Sequence, residues 1–204
     1  MSKPYDATVK HLLQAYPADW LDLIGLRDAG PVTVVDSDLS TVSAAADSIF
    51  RVGDPNPWLL QFESQSGYDA AVGFRTLRYS VLLEYRHDLQ VQSVVILLRP
   101  QADGPEMTGV SQRKLPNGEK YLEFKYHVIR VWELPVDSLL AGGLGLLPLA
   151  PLASATTHDL PGLAEVVQKI TARLSSEADE ADHLTSWISY SDLSLDIPDD
   201  TAYR

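Results

Sequence analysis

Residues 91–98, Val-Gln-Ser-Val-Val-Ile-Leu-Leu, form a nearly unbroken apolar run bounded by polar residues. A run of this length without polar alternation predicts a strand covered on both faces, as in a sheet flanked by helices. The chain supplies candidate helices on either side of it in sequence. Residues 5–16 carry Val9, Leu12, Leu13 and Tyr16 at spacings of three and four, and after Pro17 the segment Ala18–Leu26 reads as a second short helix. A long helix is predicted from about Tyr68 to Arg86, with Ala71, Phe74, Leu77, Val81 and Tyr85 as the stripe that lies on the sheet. Another runs from Leu160 to Leu174, with Leu163, Val166, Val167 and Ile170 on one face.

Three strands are predicted before the long helix: Pro31–Leu39, Ser48–Val52 and Trp58–Gln65. The loop Gly53-Asp54-Pro55-Asn56-Pro57 consists of residues that favour turns and interrupt ladders, so the second and third strands read as a β-hairpin. Along the third, Trp58, Leu60 and Phe62 share one face while Gln61, Glu63 and Gln65 share the other. If Val52 faces Trp58 across the loop, Asp47 falls opposite Glu63, with Cβ atoms roughly 4.5–5.5 Å apart. Two carboxylates so placed repel unless a cation lies between them, and a divalent metal is the natural candidate. The plainer alternative is an edge acid opposite an acid on an exposed face. Residues 46–65 are therefore the candidate site.

Farther along, Val110–Leu115 and Lys120–Trp132 read as strands around Asn117-Gly118, a strong hairpin signal. Arg113, Lys114, Lys120 and Lys125, interleaved with Tyr121 and Tyr126, suit either a ribbon contacting a nucleic-acid backbone or the solvated face of an ordinary hairpin. Pro135–Leu140 predicts a helical turn. Residues 141–153, AGGLGLLPLAPLA, are too apolar for a flexible linker and too interrupted by glycine and proline for one regular helix, so they should pack on the core. The Gly-Leu-Gly within them lacks the spacing of a dinucleotide-binding turn, and no organic cofactor is assigned. Residues 1–174 read as one domain and 175–204 as an acidic helix and tail.

Composition narrows the function. The chain has no cysteine, hence no disulfide framework, thiolate metal site or cysteine nucleophile. The amino terminus has no apolar signal core and no run approaches the ~18 apolar residues that cross a bilayer, so a cytoplasmic protein without membrane contact is expected. The net charge of −12 opposes general nucleic-acid affinity, which rests on Lys and Arg. Residues 175–204, with eight acids and one arginine, carry −7 of it, whereas Arg75 to Arg130 hold nine basic residues against six acids.

The order helix, three strands, long helix, buried strand, with Asp47 on the second strand and Glu63-Ser64-Gln65 on the third, resembles the PD-(D/E)XK nuclease superfamily. More narrowly, the chain is similar to the bacterial recombination-promoting nuclease or YhgA-like transposase family. The residues that carry the likeness are Tyr5-Asp6, Lys10-His11-Leu12-Leu13, the segments ADSIFRV and PWLLQFESQ, RTLRY from Arg75 to Tyr79, RVWELP and LLPLAPL. It spans most of residues 5–152 and has no counterpart for the tail. It implies an α/β, restriction-endonuclease-like fold: a mixed sheet built from an antiparallel three-strand meander, a long helix and the buried strand, flanked by helices, with an added β-hairpin.

The resemblance also implies a magnesium-dependent DNA endonuclease linked to recombination or mobile elements, with manganese as a substitute ion. Asp47, Glu63 and the backbone carbonyl of Ser64 would be metal ligands, and Gln65 would stand where the superfamily usually has lysine. Members often pair to cut both strands, so a homodimer is a further expectation. Glutamine can orient a water but cannot carry charge or exchange a proton as lysine does. Arg75, near the helix start, could supply part of that charge as a phosphate or transition-state partner. Surface pairing of the helix arginines with Glu84 or Asp88 is an equally good account of them. Asp36 and Asp38 are candidate extra ligands, although a turn or cap with Ser40 suffices for Asp38. The rival function is a nuclease-like domain that no longer cuts and serves as a nucleic-acid or protein interaction module; a third is an acidic regulatory or assembly protein.

Overall fold

The computed structural model describes residues 4–27, 30–35, 47–115, 117–153 and 160–177. Helices α1 (Pro4–Ala15) and α2 (Pro17–Leu23) open the chain. Pro17 can start the second because a first helical residue has no intrahelical use for its N–H. Strands β1 (Val32–Val34), β2 (Ser48–Val52) and β3 (Trp58–Gln65) follow, then α3 (Val72–His87) and β4 (Val91–Leu97). After a loop come β5 (Val110–Lys114), β6 (Lys120–Lys125) and β7 (His127–Arg130). The chain then forms α4 (Val136–Ala141), a 3-10 segment over Leu144–Leu152 and α5 (Leu160–Ser176). Among the described residues no helix is long and apolar enough to cross a membrane.

The result is a mixed α/β architecture around a five-stranded sheet of order β1-β2-β3-β4-β7. The first three strands are antiparallel neighbours, while β3, β4 and β7 run parallel. A parallel return needs a crossover, and α3 provides it between β3 and β4. Both faces of the central strands are covered, as the apolar run at 91–98 predicts. Phe50, Val52, Leu60, Phe62, Val94 and Ile96 pack on one side with α1, α2, the 3-10 segment and α5. On the other side, Ile49 and Leu59 meet Tyr79 and Leu83 of α3, and Val95 and Leu97 meet Val72, Met107 and Tyr126.

The apolar connector is fully buried from Leu144 to Leu152. Its glycines are there for close approach: a Cβ on Gly143 would fall on the Asp19 carboxylate and one on Gly145 would lie 2.4 Å from Tyr16 Cβ. Asp19 Oδ2 accepts the Gly145 N–H at 2.7 Å, so this segment is anchored to α2.

Three expectations are corrected. The stretch 120–132 is not one strand: β6 pairs with β5 in a separate two-stranded sheet, and β7 joins the main sheet beside β4. The break falls at Tyr126, whose N–H, bonded to Gly109 O at 2.9 Å, extends the β5–β6 register by one pair before the chain passes to β7. The second correction concerns which face of α3 meets the sheet. Val72, Gly73, Thr76, Tyr79, Ser80 and Leu83 are buried, whereas Val81 and Tyr85 are exposed, Tyr85 at 88%. At about 100° per residue the buried face lies about 160° round the helix from that stripe, nearly on its opposite side. Small residues won because they allow close contact: a Cβ on Gly73 would lie 2.1 Å from Ser111 Oγ and 3.1 Å from the Tyr126 hydroxyl oxygen. Thr76 is accommodated by donating its hydroxyl to Val72 O at 2.8 Å. Third, β1 has three residues, not nine; residues 36–39 of its predicted span, like the predicted helix and tail beyond Glu177, lie outside the described residues.

Gly73→Ala should therefore cost about 1–3 kcal/mol in denaturant unfolding, the range for overpacking a fitted contact. The loss should shrink in a Ser111→Ala background, which removes the nearest atom. A Gly73→Ala protein as stable as wild type would contradict this placement of α3.

Candidate functional site

The site forms where the end of the β2–β3 ladder meets the first turn of α3. Val52 pairs with Trp58 and Ser48 with Phe62, the register that the five-residue loop implies. One step beyond the last pair, Asp47 comes level with Glu63. The structure brings these two acids together, but neither is simply solvated.

Asp47 Oδ2 accepts two hydrogen bonds, from the Ser64 N–H and from the Ser64 hydroxyl, each at 2.7 Å. The groups of Ser64 that reach Asp47 are thus donors. Glu63 is 3% exposed, and its Oε1 is buried without a hydrogen-bond partner. Its Oε2 lies 3.5 Å from Arg75 Nη2. Burial pushes the Glu63 carboxyl up to about 8, the charge of Asp47 pushes the same way, and Arg75 offsets only part of this.

Arg75 reaches this place because α3 is turned toward the sheet. It stands in the first turn of α3, its N–H bonded to Ala71 O at 2.9 Å. Its guanidinium is shared: Nη1 is hydrogen-bonded to Asp69 Oδ2, while Nη2 faces Glu63. Asp69 is fixed in turn, its Oδ1 accepting the Ala71 N–H at 2.9 Å. Gln65 ends β3 opposite Leu97 of β4, on the α3 face it shares with Gln61 and Glu63, and is half-buried.

The structure places three further polar residues in this region. Tyr79, one turn along α3 from Arg75, is buried, and burial together with the charge of Glu63 raises its hydroxyl above the ordinary range. Its place on the buried face follows from the same turn of α3 that brings Arg75 to Glu63. Gln61 is fully buried; its Oε1 accepts from Ser93 Oγ at 3.2 Å while its Nε2 has no partner. Asp69, six residues before Arg75, holds the guanidinium from the turn that enters α3. Asp36, Asp38 and Ser40 lie outside the described residues.

The donor set suits a hard cation, since magnesium prefers oxygen ligands and commonly takes one or two protein carboxylates, with waters and substrate oxygens completing its shell. The orphaned Glu63 oxygen beside a second carboxylate is the feature that such an ion would satisfy. Among the described residues no group of three or more His, Asp or Glu side chains is placed to hold a metal. No family model matches the chain, and no curated protein or solved structure matches it either.

The raised Glu63 value has a definite sign in stability. Glu63 binds its proton more tightly folded than unfolded, so its contribution is fully present below the unfolded value of 4.5 and is lost as pH rises through about 8. Glu63→Gln removes this titration. Its melting temperature should gain on wild type as pH rises, by about 2–4 °C for each kcal/mol of charge burial relieved, with the gain absent at acid pH. Parallel pH profiles for the two proteins would contradict the assignment.

Proposed function

We propose that this chain is a metal-dependent DNA endonuclease with a restriction-endonuclease-like fold, related to the PD-(D/E)XK superfamily and, within it, to the recombination-promoting nuclease or YhgA-like transposase family. The observation that carries the reading is the buried, partnerless Oε1 of Glu63 beside the Asp47 carboxylate. The chain order supports it: a helical opening, an antiparallel meander, a long crossover helix and a parallel buried strand, with the two acids at one end of the second and third strands.

In this reading Asp47 and Glu63 hold magnesium, with manganese as a substitute, and the Ser64 backbone adds a carbonyl ligand. When bound, the ion lowers the pKa of an attacking water and offsets charge developing on the phosphate oxygens. Ser64 fixes the Asp47 carboxylate by two donors, so its orientation is set before substrate arrives. Gln65 can accept from or donate to the water and so orient it, but it cannot take its proton. Arg75, fixed at its far edge by Asp69, faces the acids and stabilises negative charge on the phosphate.

A second reading has its own support. Arg75 already faces Glu63, Ser64 already satisfies one oxygen of Asp47, and Gln65 is neutral. A site neutralised from within fits a nuclease-like domain that has lost cleavage and retains an interaction role.

Plasmid cleavage separates the two. Wild type should nick DNA with magnesium or manganese and not with chelator, Asp47→Ala and Glu63→Ala should abolish nicking, and Arg75→Ala should reduce it about 10²–10³-fold, the cost of one transition-state donor. Gln65→Lys should raise the rate by restoring a charged proton-exchanging group. Equal nicking by wild type and by Asp47→Ala and Glu63→Ala would end the enzyme reading.

A further inference from the structure

Arg75 poses a question that the metal-site reading leaves open. A guanidinium adjacent to Glu63 could close on it in a two-pronged pair, the preferred geometry for arginine and carboxylate. That would supply the positive charge a metal is needed for. It does not happen here. The nearest Arg75–Glu63 approach is 3.5 Å, longer than the 2.7–3.2 Å of an ordinary N–H···O bond, and Glu63 Oε1 is left without a partner. The other arm of the guanidinium is hydrogen-bonded to Asp69.

Asp69 is well placed to hold Arg75 back. Its Oδ1 takes the Ala71 N–H at 2.9 Å and its carbonyl takes the Val72 N–H at 3.2 Å, so the carboxylate is anchored to the turn that enters α3. Its own side chain is about one-third exposed, whereas that of Glu63 is 4% exposed. The two acids thus compete for one arginine from opposite sides, one anchored on the helix entry and the other buried in the sheet.

We propose that Asp69 is a positioning residue that holds the Arg75 guanidinium off Glu63 and so keeps the Asp47–Glu63 pair open to a divalent cation. The inference rests on the metal-site reading above and adds a residue outside the ligand set. Remove the charge of Asp69, and Arg75 closes on Glu63 and competes with the ion.

The test is manganese binding alone, without nucleic acid, by titration calorimetry on wild type, Asp69→Asn, Arg75→Ala and the double variant. Asparagine keeps an acceptor for the Ala71 N–H, so the helix entry is preserved, and melting curves check the fold. Asp69→Asn should weaken manganese binding about 10- to 100-fold, the usual size of an effect transmitted through a ligand's outer partner. In the Arg75→Ala background the same change should have little effect, because the competitor is gone. Equal affinities for wild type and Asp69→Asn overturn the inference while leaving the metal site standing. An equal loss in both backgrounds also overturns it, since Asp69 would then act through its bare charge. No manganese heat in wild type removes the metal-site reading itself, and the inference with it.

Discussion

Burying a carboxylate without a full set of partners costs several kcal/mol, and Glu63 is such a group. It stands near the end of a central strand whose faces are both covered, so it cannot reach water by turning. What surrounds it follows from that cost. The Glu63 carboxyl is pushed up to about 8, Asp47 is turned toward Ser64, and an arginine is drawn in from the first turn of α3. None of these responses fully compensates the group. A hydrophobic residue would have filled the same space at no electrostatic cost.

The orientation of α3 is part of the same arrangement. A helix packed through its largest apolar residues would have sent Arg75 and Tyr79 toward solvent. Packing through Gly73, Thr76 and Ser80 instead brings the helix near the β5–β6 hairpin and aims Arg75 at Glu63. The exchange leaves Val81 and Tyr85 exposed, a cost in unburied apolar area of roughly 25 cal/mol per Å². The close approach at Gly73 and the ion pairs of Arg75 offset it.

Much of this was legible in the amino-acid order. The run at 91–98 demanded cover on both faces, and the structure supplies it; the loop from Gly53 to Pro57 set the register that brings Asp47 level with Glu63. The buried path of residues 144–152 followed from apolar composition broken by glycine and proline. Periodicity failed where small residues decide packing, because a hydrophobic stripe cannot register how closely Gly73 lets a helix approach. It failed again at Tyr126, where a continuous strand-like pattern divides between two sheets, since alternation reports faces and not partners. Within the site, the pairing of the acids was readable from register. The grip of Asp69 on Arg75 and of Ser64 on Asp47 was not, because both depend on side-chain reach across a turn or between strands.

The central claim is that Asp47 and Glu63 form a cation site that Arg75 does not fill. The most direct measurement is anomalous diffraction from crystals grown with manganese. The account predicts a single anomalous peak within coordination distance of both carboxylates, with Arg75 still bonded to Asp69. No peak at millimolar manganese, with the Arg75 guanidinium hydrogen-bonded directly to Glu63, would contradict it.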